Sequence, residues 1–346
     1  MGVVAKKARV RTGVALTALG AVLCMGAWAA RPSPAPDAAT SRAATPRLAV
    51  GIHRETLVDP SRPTPPNGTA PGQPDRRFPV VVWYPAIGTP GSAARADATP
   101  DRHHGPFPLV VFVHGFTETP SAYADLLTRV AGAGYVVAAP ALPLSNGDAP
   151  GGPSQADVAS HPADVRFVFS QLLAQPTRHD VLHGLIAPGR VAVAGHSMGG
   201  AIAYSLGFEQ CCRDPRVIAV LDFSQLPIAL RPDNDPPQPF VTGTGTPVLF
   251  INGDHDEYFP PAIFTAAYVN ASPPKYQITL SGASHKPPYQ LRTDPHFRLV
   301  VASTIDFLDT TIGGHAGTAR LGSRLSRELK SSANIGTLVY ATPPGR

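Results

Sequence analysis

Residues 191–200 read V-A-V-A-G-H-S-M-G-G, and this stretch constrains the fold more than any other. A short apolar run of β type ends at Gly195, His196 and Ser197, and small residues then open a helical pattern. G-x-S-x-G between a strand and a helix is the spacing of a nucleophile elbow, a strained turn that holds a serine hydroxyl above the sheet edge. Gly195 and Gly199 leave room for the turn, and Gly200 and Ala201 let the helix lie close to its strand. The turn also sets the N–H of Met198 at a helix start, where it can meet a developing oxyanion. A glycine-rich turn with an idle serine is the bland alternative, and the strand before and helix after weigh against it.

The flanking chain alternates strand and helix. Buried-type strands are expected at 78–83, 109–113, 135–139, 191–194, 217–221, 248–251 and 276–280. Helical patterns run over 122–133, from about 160, from the elbow to about 209, near 262–269 and over about 297–308. Such alternation predicts an α/β fold, a mostly parallel sheet with helices on both faces. Residues 86–108, 140–153 and 226–247 read as loops, which is where much of the proline (40 residues) and glycine (32) falls.

Residues 1–29 are set apart as a signal peptide. Lys6, Lys7, Arg9 and Arg11 make a positive start, an uncharged apolar run follows, and Ala27-Trp28-Ala29 offers a cleavage site. The expectation is a secreted or cell-envelope protein; the alternative is an uncleaved membrane anchor. Residues 30–47 read as a linker, 48–312 as the catalytic domain and 313–346 as a solvated tail. The net charge of +5 comes mostly from the four cations of the leader, so nucleic-acid binding has no support. The lipoprotein pattern is lacking at Cys24. Cys211 and Cys212 are adjacent, so a disulfide framework is not implied, although an oxidising compartment makes a bond between them possible.

A serine needs a base to activate it, and the base needs an acid to orient it. In an elbow fold these follow in the order Ser, acid, His, each on a loop after a strand. His285, in G-A-S-H directly after the strand at 276–280, stands where the base belongs; His255 and His296 suit surface or capping roles. Two acids compete. Asp256 lies in N-G-D-H-D after the strand at 248–251, and Asp222 follows the strand at 217–221. The Gly253-x-x-Asp256 loop pattern favours Asp256, and Asp254 suits backbone capping. A second oxyanion donor is expected from His114-Gly115-Phe116, with Phe116 supplying the N–H. Phe116, Met198, Phe223, Tyr258 and Phe259 are candidates for an apolar substrate pocket. No metal site is expected, because spacings such as His179–His183 lack further ligands.

The combination of H-G-F, G-H-S-M-G-G, the Gly253–Asp256 loop and A-S-H resembles the α/β-hydrolase superfamily. P-V-V-V-W-Y-P-A at 79–86, H-P-A-D-V-R-F-V at 161–168 and D-F-L-D at 306–309 are similar to bacterial predicted dienelactone hydrolases. Those in turn resemble platelet-activating-factor acetylhydrolases and, more distantly, actinobacterial cutinases. The resemblance spans about residues 48–308. It implies an eight-stranded sheet, a Ser–His–acid triad, no cofactor, and hydrolysis of a small-molecule, lipid or polyester ester. The acetylhydrolases place their acid after the earlier strand, which keeps Asp222 in view. Two features differ from the relatives: dienelactone hydrolases proper carry cysteine where this elbow has Ser197, and the Pro-Trp pair of polyester-cleaving cutinases is absent after Asp222-Phe223-Ser224. Acyl transfer in the cell envelope and non-catalytic binding are the rival functions.

Overall fold

A ten-stranded sheet runs through the middle of the molecule, in the order β10-β9-β8-β7-β6-β4-β5-β2-β1-β3. The computed structural model describes residues 48–343 except 92, 175–180, 225–242 and 315–319. The leader, the linker, His179, His315 and most of the proline-rich loop after Leu226 lie outside the described residues. Along the chain the elements are β1 (Ala49–Asp59), β2 (Arg76–Ala86), β3 (Arg95–Ala96), β4 (Phe107–Val113), α1 (Ala124–Gly132) and β5 (Val136–Pro140). Then come α2 (His161–Ala174), β6 (Ile186–His196), α3 (Met198–Phe208), β7 (Val217–Phe223) and β8 (Val248–Gly253). The chain closes with α4 (Pro261–Asn270), β9 (Lys275–Leu280), α5 (Pro287–Gln290), α6 (Phe297–Thr311), α7 (Leu321–Ser331) and β10 (Gly336–Ala341).

The six central strands, β9 to β5, are all parallel. Antiparallel partners flank them, β2 and β1 on one side and β10 on the other. Their period of two sorts the side chains into two cores. Val110 and Phe112 of β4 and Leu221 and Phe223 of β7 join α1, α6 and α7 on one face. Leu109, Val111 and Val113 of β4 and Val220 of β7 join α2 and α3 on the other. Both faces being covered explains why these strands read as unbroken apolar runs.

The fold is of the expected α/β-hydrolase type, but the sheet has ten strands and not eight. The two extra strands sit at the outer edges. β3 is a two-residue pairing beside Gly51 and Ile52, too short to carry a hydrophobic period. β10 comes from the tail, where α7 buries Leu321, Leu325 and Leu329 and β10 pairs along all of β9. That segment reads as solvated because its arginines dominate the pattern, yet its leucine spacing is that of a packed helix. No helix among the described residues is long and apolar enough to cross a membrane.

One buried ion cluster ties β2 to the loop and helix that follow β5. The Arg76 guanidinium donates to both carboxylate oxygens of Asp164 (2.8 and 2.6 Å) and to Asp157 (2.8 Å), and Arg62 adds a bond to Asp164 at 2.7 Å. Cys211 and Cys212, just past α3, are joined by a disulfide.

Candidate active site

The parallel strands β4, β6, β8 and β9 end at the same sheet edge, and the loops leaving them carry Phe116, Ser197, Met198, Asp256 and His285, while the rival acid Asp222 belongs to β7. Binding groups collect at such an edge because the strand ends leave a crevice between loops.

Ser197 sits between β6 and α3 with φ 55 and ψ −120, a left-handed conformation that a side chain adopts only under constraint. The constraint is close packing. A Cβ on Gly195 would strike the carbonyl of Gly199, and one on Gly199 would strike the carbonyl of Val113. The Ser197 N–H donates to the Phe223 carbonyl at 2.8 Å, which fixes the turn to the neighbouring strand. Met198 is the first residue of α3, so its N–H has no acceptor within the helix.

The loop after β4 folds into a tight turn, closed by Glu118 N–H to the Gly115 carbonyl at 3.1 Å. Thr117 N–H reaches the Ser145 carbonyl (2.9 Å) and Gly115 N–H reaches Tyr123 Oη (3.2 Å), so Phe116 lies between two N–H groups already engaged. His114 is buried and holds this loop to the next: its Nε2 accepts from Leu142 N–H (3.0 Å) and its Nδ1 donates to Gly115 O (2.8 Å). Burial, together with the charge of His161, lowers its pKa to about 4 and keeps it neutral.

Asp256 and His285 are brought together. Nδ1 of His285 donates to Asp256 Oδ2 at 2.7 Å, which leaves Nε2 as the basic nitrogen. The other oxygen of Asp256 accepts the N–H groups of Tyr258 and Phe259, both at 3.0 Å. Burial acts to raise the Asp256 pKa; the bond and charge of His285 and these two N–H groups outweigh it and hold the carboxyl below its usual range. The backbone of His285 is pinned as well. Its N–H donates to Glu257 Oε2 (3.0 Å) and its carbonyl accepts from His196 Nε2 (2.9 Å).

Asp222 is placed elsewhere. It is 1% exposed and lies beside Phe250, Asn252, Phe264 and Ala267. The alternation of β7 assigns it to the sheet face opposite Leu221 and Phe223. Asp254 accepts Gly282 N–H at 2.6 Å, so it caps the base loop and not its own turn. His296 is the N-cap residue of α6, held by Asp294 and by the Ser281 carbonyl.

The pocket candidates divide. Tyr258 is 60% exposed with its ring 4.8 Å from that of His285, and Phe259 meets the same imidazole edge-on at 5.3 Å. Phe116 and Met198 are half-buried. Phe223 is corrected: its side chain is 1% exposed, stacked on Tyr289 at 5.3 Å within the core. Only its carbonyl faces the elbow, because a β-strand sends alternate side chains to opposite faces while its last carbonyl stays at the edge. Three residues of this site were not anticipated, His196, Tyr123 and Glu257. His196 stood inside the elbow motif, but nothing in a linear sequence couples it to Tyr123, 73 residues earlier.

Among the described residues, two groups have the composition of a metal site, Asp157–His161–Asp164 and Glu209–Cys211–Cys212. In the first the Arg76 guanidinium already occupies the space between the carboxylates. In the second the disulfide consumes both thiolates.

A family model described as chlorophyllase matches residues 96–234, about two fifths of the chain. The matched span contains Phe116, Ser197 and Asp222 and stops before Asp256 and His285. In structure the chain is similar to a ferulic acid esterase from Streptomyces cinnamoneus, with a TM-score of 0.62 over 86% of this chain and 98% of that one. Identity between the two is 21%, so this likeness speaks for the fold. No curated protein sequence matches.

Proposed function

We propose that this chain is a secreted serine hydrolase of carboxylic esters. The observation that carries the reading is the 2.7 Å bond from His285 Nδ1 to Asp256, made at the same sheet edge as a serine held in an elbow. Ser197 Oγ attacks the ester carbonyl while His285 Nε2 takes its proton. Asp256 holds the imidazole in the right tautomer and stabilises the imidazolium. The N–H groups of Phe116 and Met198 bind the oxyanion, and preorganised donors of this kind contribute about 3–4 kcal/mol each. His285 returns the proton to the leaving alcohol, leaving an acyl group on Ser197. Water, activated by the same imidazole, then releases the carboxylic acid.

The family match and the name of the structural neighbour support ester chemistry. Tyr258 and Phe259 over the imidazole favour an apolar acyl or alcohol group, of short-chain or lipid type. Secretion rests on the leader pattern of residues 1–29. A panel of p-nitrophenyl esters from acetyl to palmitoyl, with methyl ferulate beside it, tests the reading. Turnover of at least one ester and covalent labelling of Ser197 by an organophosphonate are expected. Absence of both from folded protein would overturn it.

A further inference from the structure

The imidazole of His196 makes two hydrogen bonds, and together they fix its tautomer. Nε2 faces the His285 carbonyl at 2.9 Å, and a carbonyl only accepts, so Nε2 carries the proton. Nδ1 is therefore an acceptor, and Tyr123 Oη donates to it at 2.8 Å. That hydroxyl in turn accepts the Gly115 N–H at 3.2 Å. A single directed chain results, from Gly115 N–H through Tyr123 O–H and His196 to the His285 carbonyl.

We propose that His196 is a positioning residue, which through this chain sets the oxyanion loop and the base loop at a fixed distance from Ser197. The proposal rests on the serine-hydrolase reading above. Four observations support it. His196 is covalently next to Ser197, Gly115 is next to Phe116, and the bonded carbonyl belongs to His285 itself. The imidazole is 1% exposed, packed between the rings of Tyr123, His285 and Tyr289 at 5.6, 4.7 and 5.0 Å. The oxyanion loop packs directly on this pair, since a Cβ on Gly115 would meet His196 Nδ1 at 3.1 Å and Tyr123 Oη at 3.3 Å. Finally, burial and the nearby charge of His285 lower the His196 pKa to about 3, so the ring stays neutral, and its two hydrogen bonds hold the Nε2–H tautomer. A second tie joins the same two loops, the ion pair of Lys286 with Glu118 at 2.6 Å, but it is partly exposed and contributes little rigidity.

The test compares Tyr123→Phe, His196→Phe, His196→Gln and the double variant Tyr123→Phe/His196→Phe on a short-chain ester. Misplacing reacting groups by about 1 Å costs about 10²-fold. A fall of that order in kcat with KM unchanged is expected for His196→Phe, and a smaller fall for Tyr123→Phe. His196→Gln, which keeps a side-chain N–H toward the His285 carbonyl, should recover part of the loss. The double variant should be no slower than His196→Phe, because one broken chain cannot be broken twice. Multiplying effects, or wild-type kcat in folded His196→Phe, would overturn the proposal.

A second readout does not depend on activity. Nitrogen NMR of 15N-histidine-labelled protein should report His196 as the neutral Nε2–H tautomer from about pH 5 to about pH 9, the range across which an ordinary histidine titrates. Its Nδ1 resonance should shift in Tyr123→Phe. An Nδ1–H tautomer, or titration within that range, would overturn the proposal whether or not any ester is turned over. Inactive wild-type protein with the expected spectrum would overturn only the hydrolase reading.

Discussion

The carboxylate of Asp256 lies 2.7 Å from Nδ1 of His285, although 29 residues separate them along the chain. Asp222, the rival acid, sits at the end of β7 against Phe250 and Phe264. Replacing Asp256 by Asn should lower kcat by about 10⁴, because the amide no longer holds the productive tautomer. Asp222→Asn should act on the melting temperature and leave kcat comparatively unaffected. Steady-state kinetics beside thermal melts of both variants check this; the reverse outcome would move the acid to β7.

Ser197→Ala should abolish phosphonate labelling and lower kcat by about 10⁶, since the members of a triad act as a unit. Its circular dichroism should match the parent. Because Ser197 holds φ 55, the same change should alter stability only slightly, alanine meeting the same backbone constraint as serine.

Gly199→Ala should impair folding rather than chemistry alone. The added methyl meets the carbonyls of Val113 and His114, backbone atoms that cannot turn aside as a side chain can. Overpacking of this kind costs about 1–3 kcal/mol or more. Soluble yield and urea midpoints measure it.

Stability should fall on the acid side. Burial acts to raise the Asp164 pKa, but the His161 hydrogen bond and the charge and bonds of Arg76 outweigh it, so the folded value is lowered. A depressed carboxylate contributes stability that is present above its unfolded pKa of about 3.9 and is lost as pH falls through the folded value. Arg76→Met should remove this contribution and leave Asp157 and Asp164 buried without it, a loss of about 3–5 kcal/mol at neutral pH. Urea melts at neutral and acid pH give both the size and the slope.

Protein recovered from culture supernatant should begin at Ala30 or within a few residues of it, by N-terminal sequencing. An intact Met1 found only in membranes would favour the anchored alternative.

The central strands and the elbow were legible because each has a local signature. Continuous apolar runs such as that of 109–113 mark buried parallel strands, and G-H-S-M-G-G marks the turn. His285 and its two candidate acids could be placed because each follows such a run. The Gly253-x-x-Asp256 loop pattern favours Asp256 over Asp222 already, whereas the bond from His285 to Asp256 and the place of Asp222 on the opposite sheet face from Leu221 and Phe223 are visible only in the folded chain. Phe223 was misplaced. Its position at a strand end was right and its side chain's face was not, a matter of one residue of register. The Gly115–Tyr123–His196–His285 chain was invisible because each bond spans different elements. β10 was hidden by composition, its strand pattern lying behind an arginine-rich helix.

That last strand bears on how the protein behaves at high concentration. A parallel sheet ending at β9 would present a row of unpaired N–H and C=O groups, a template on which another chain can add. β10 covers it from Lys275 to Leu280, with Tyr340 stacked on Tyr276 at 5.9 Å. α7, which delivers the strand, is anchored to α6 by Arg324 and Asp306 and turns cationic side chains outward. The C-terminal segment thus acts as a hem on the sheet, and a chain trimmed back to α6 would keep every catalytic group yet carry an open edge that invites self-association.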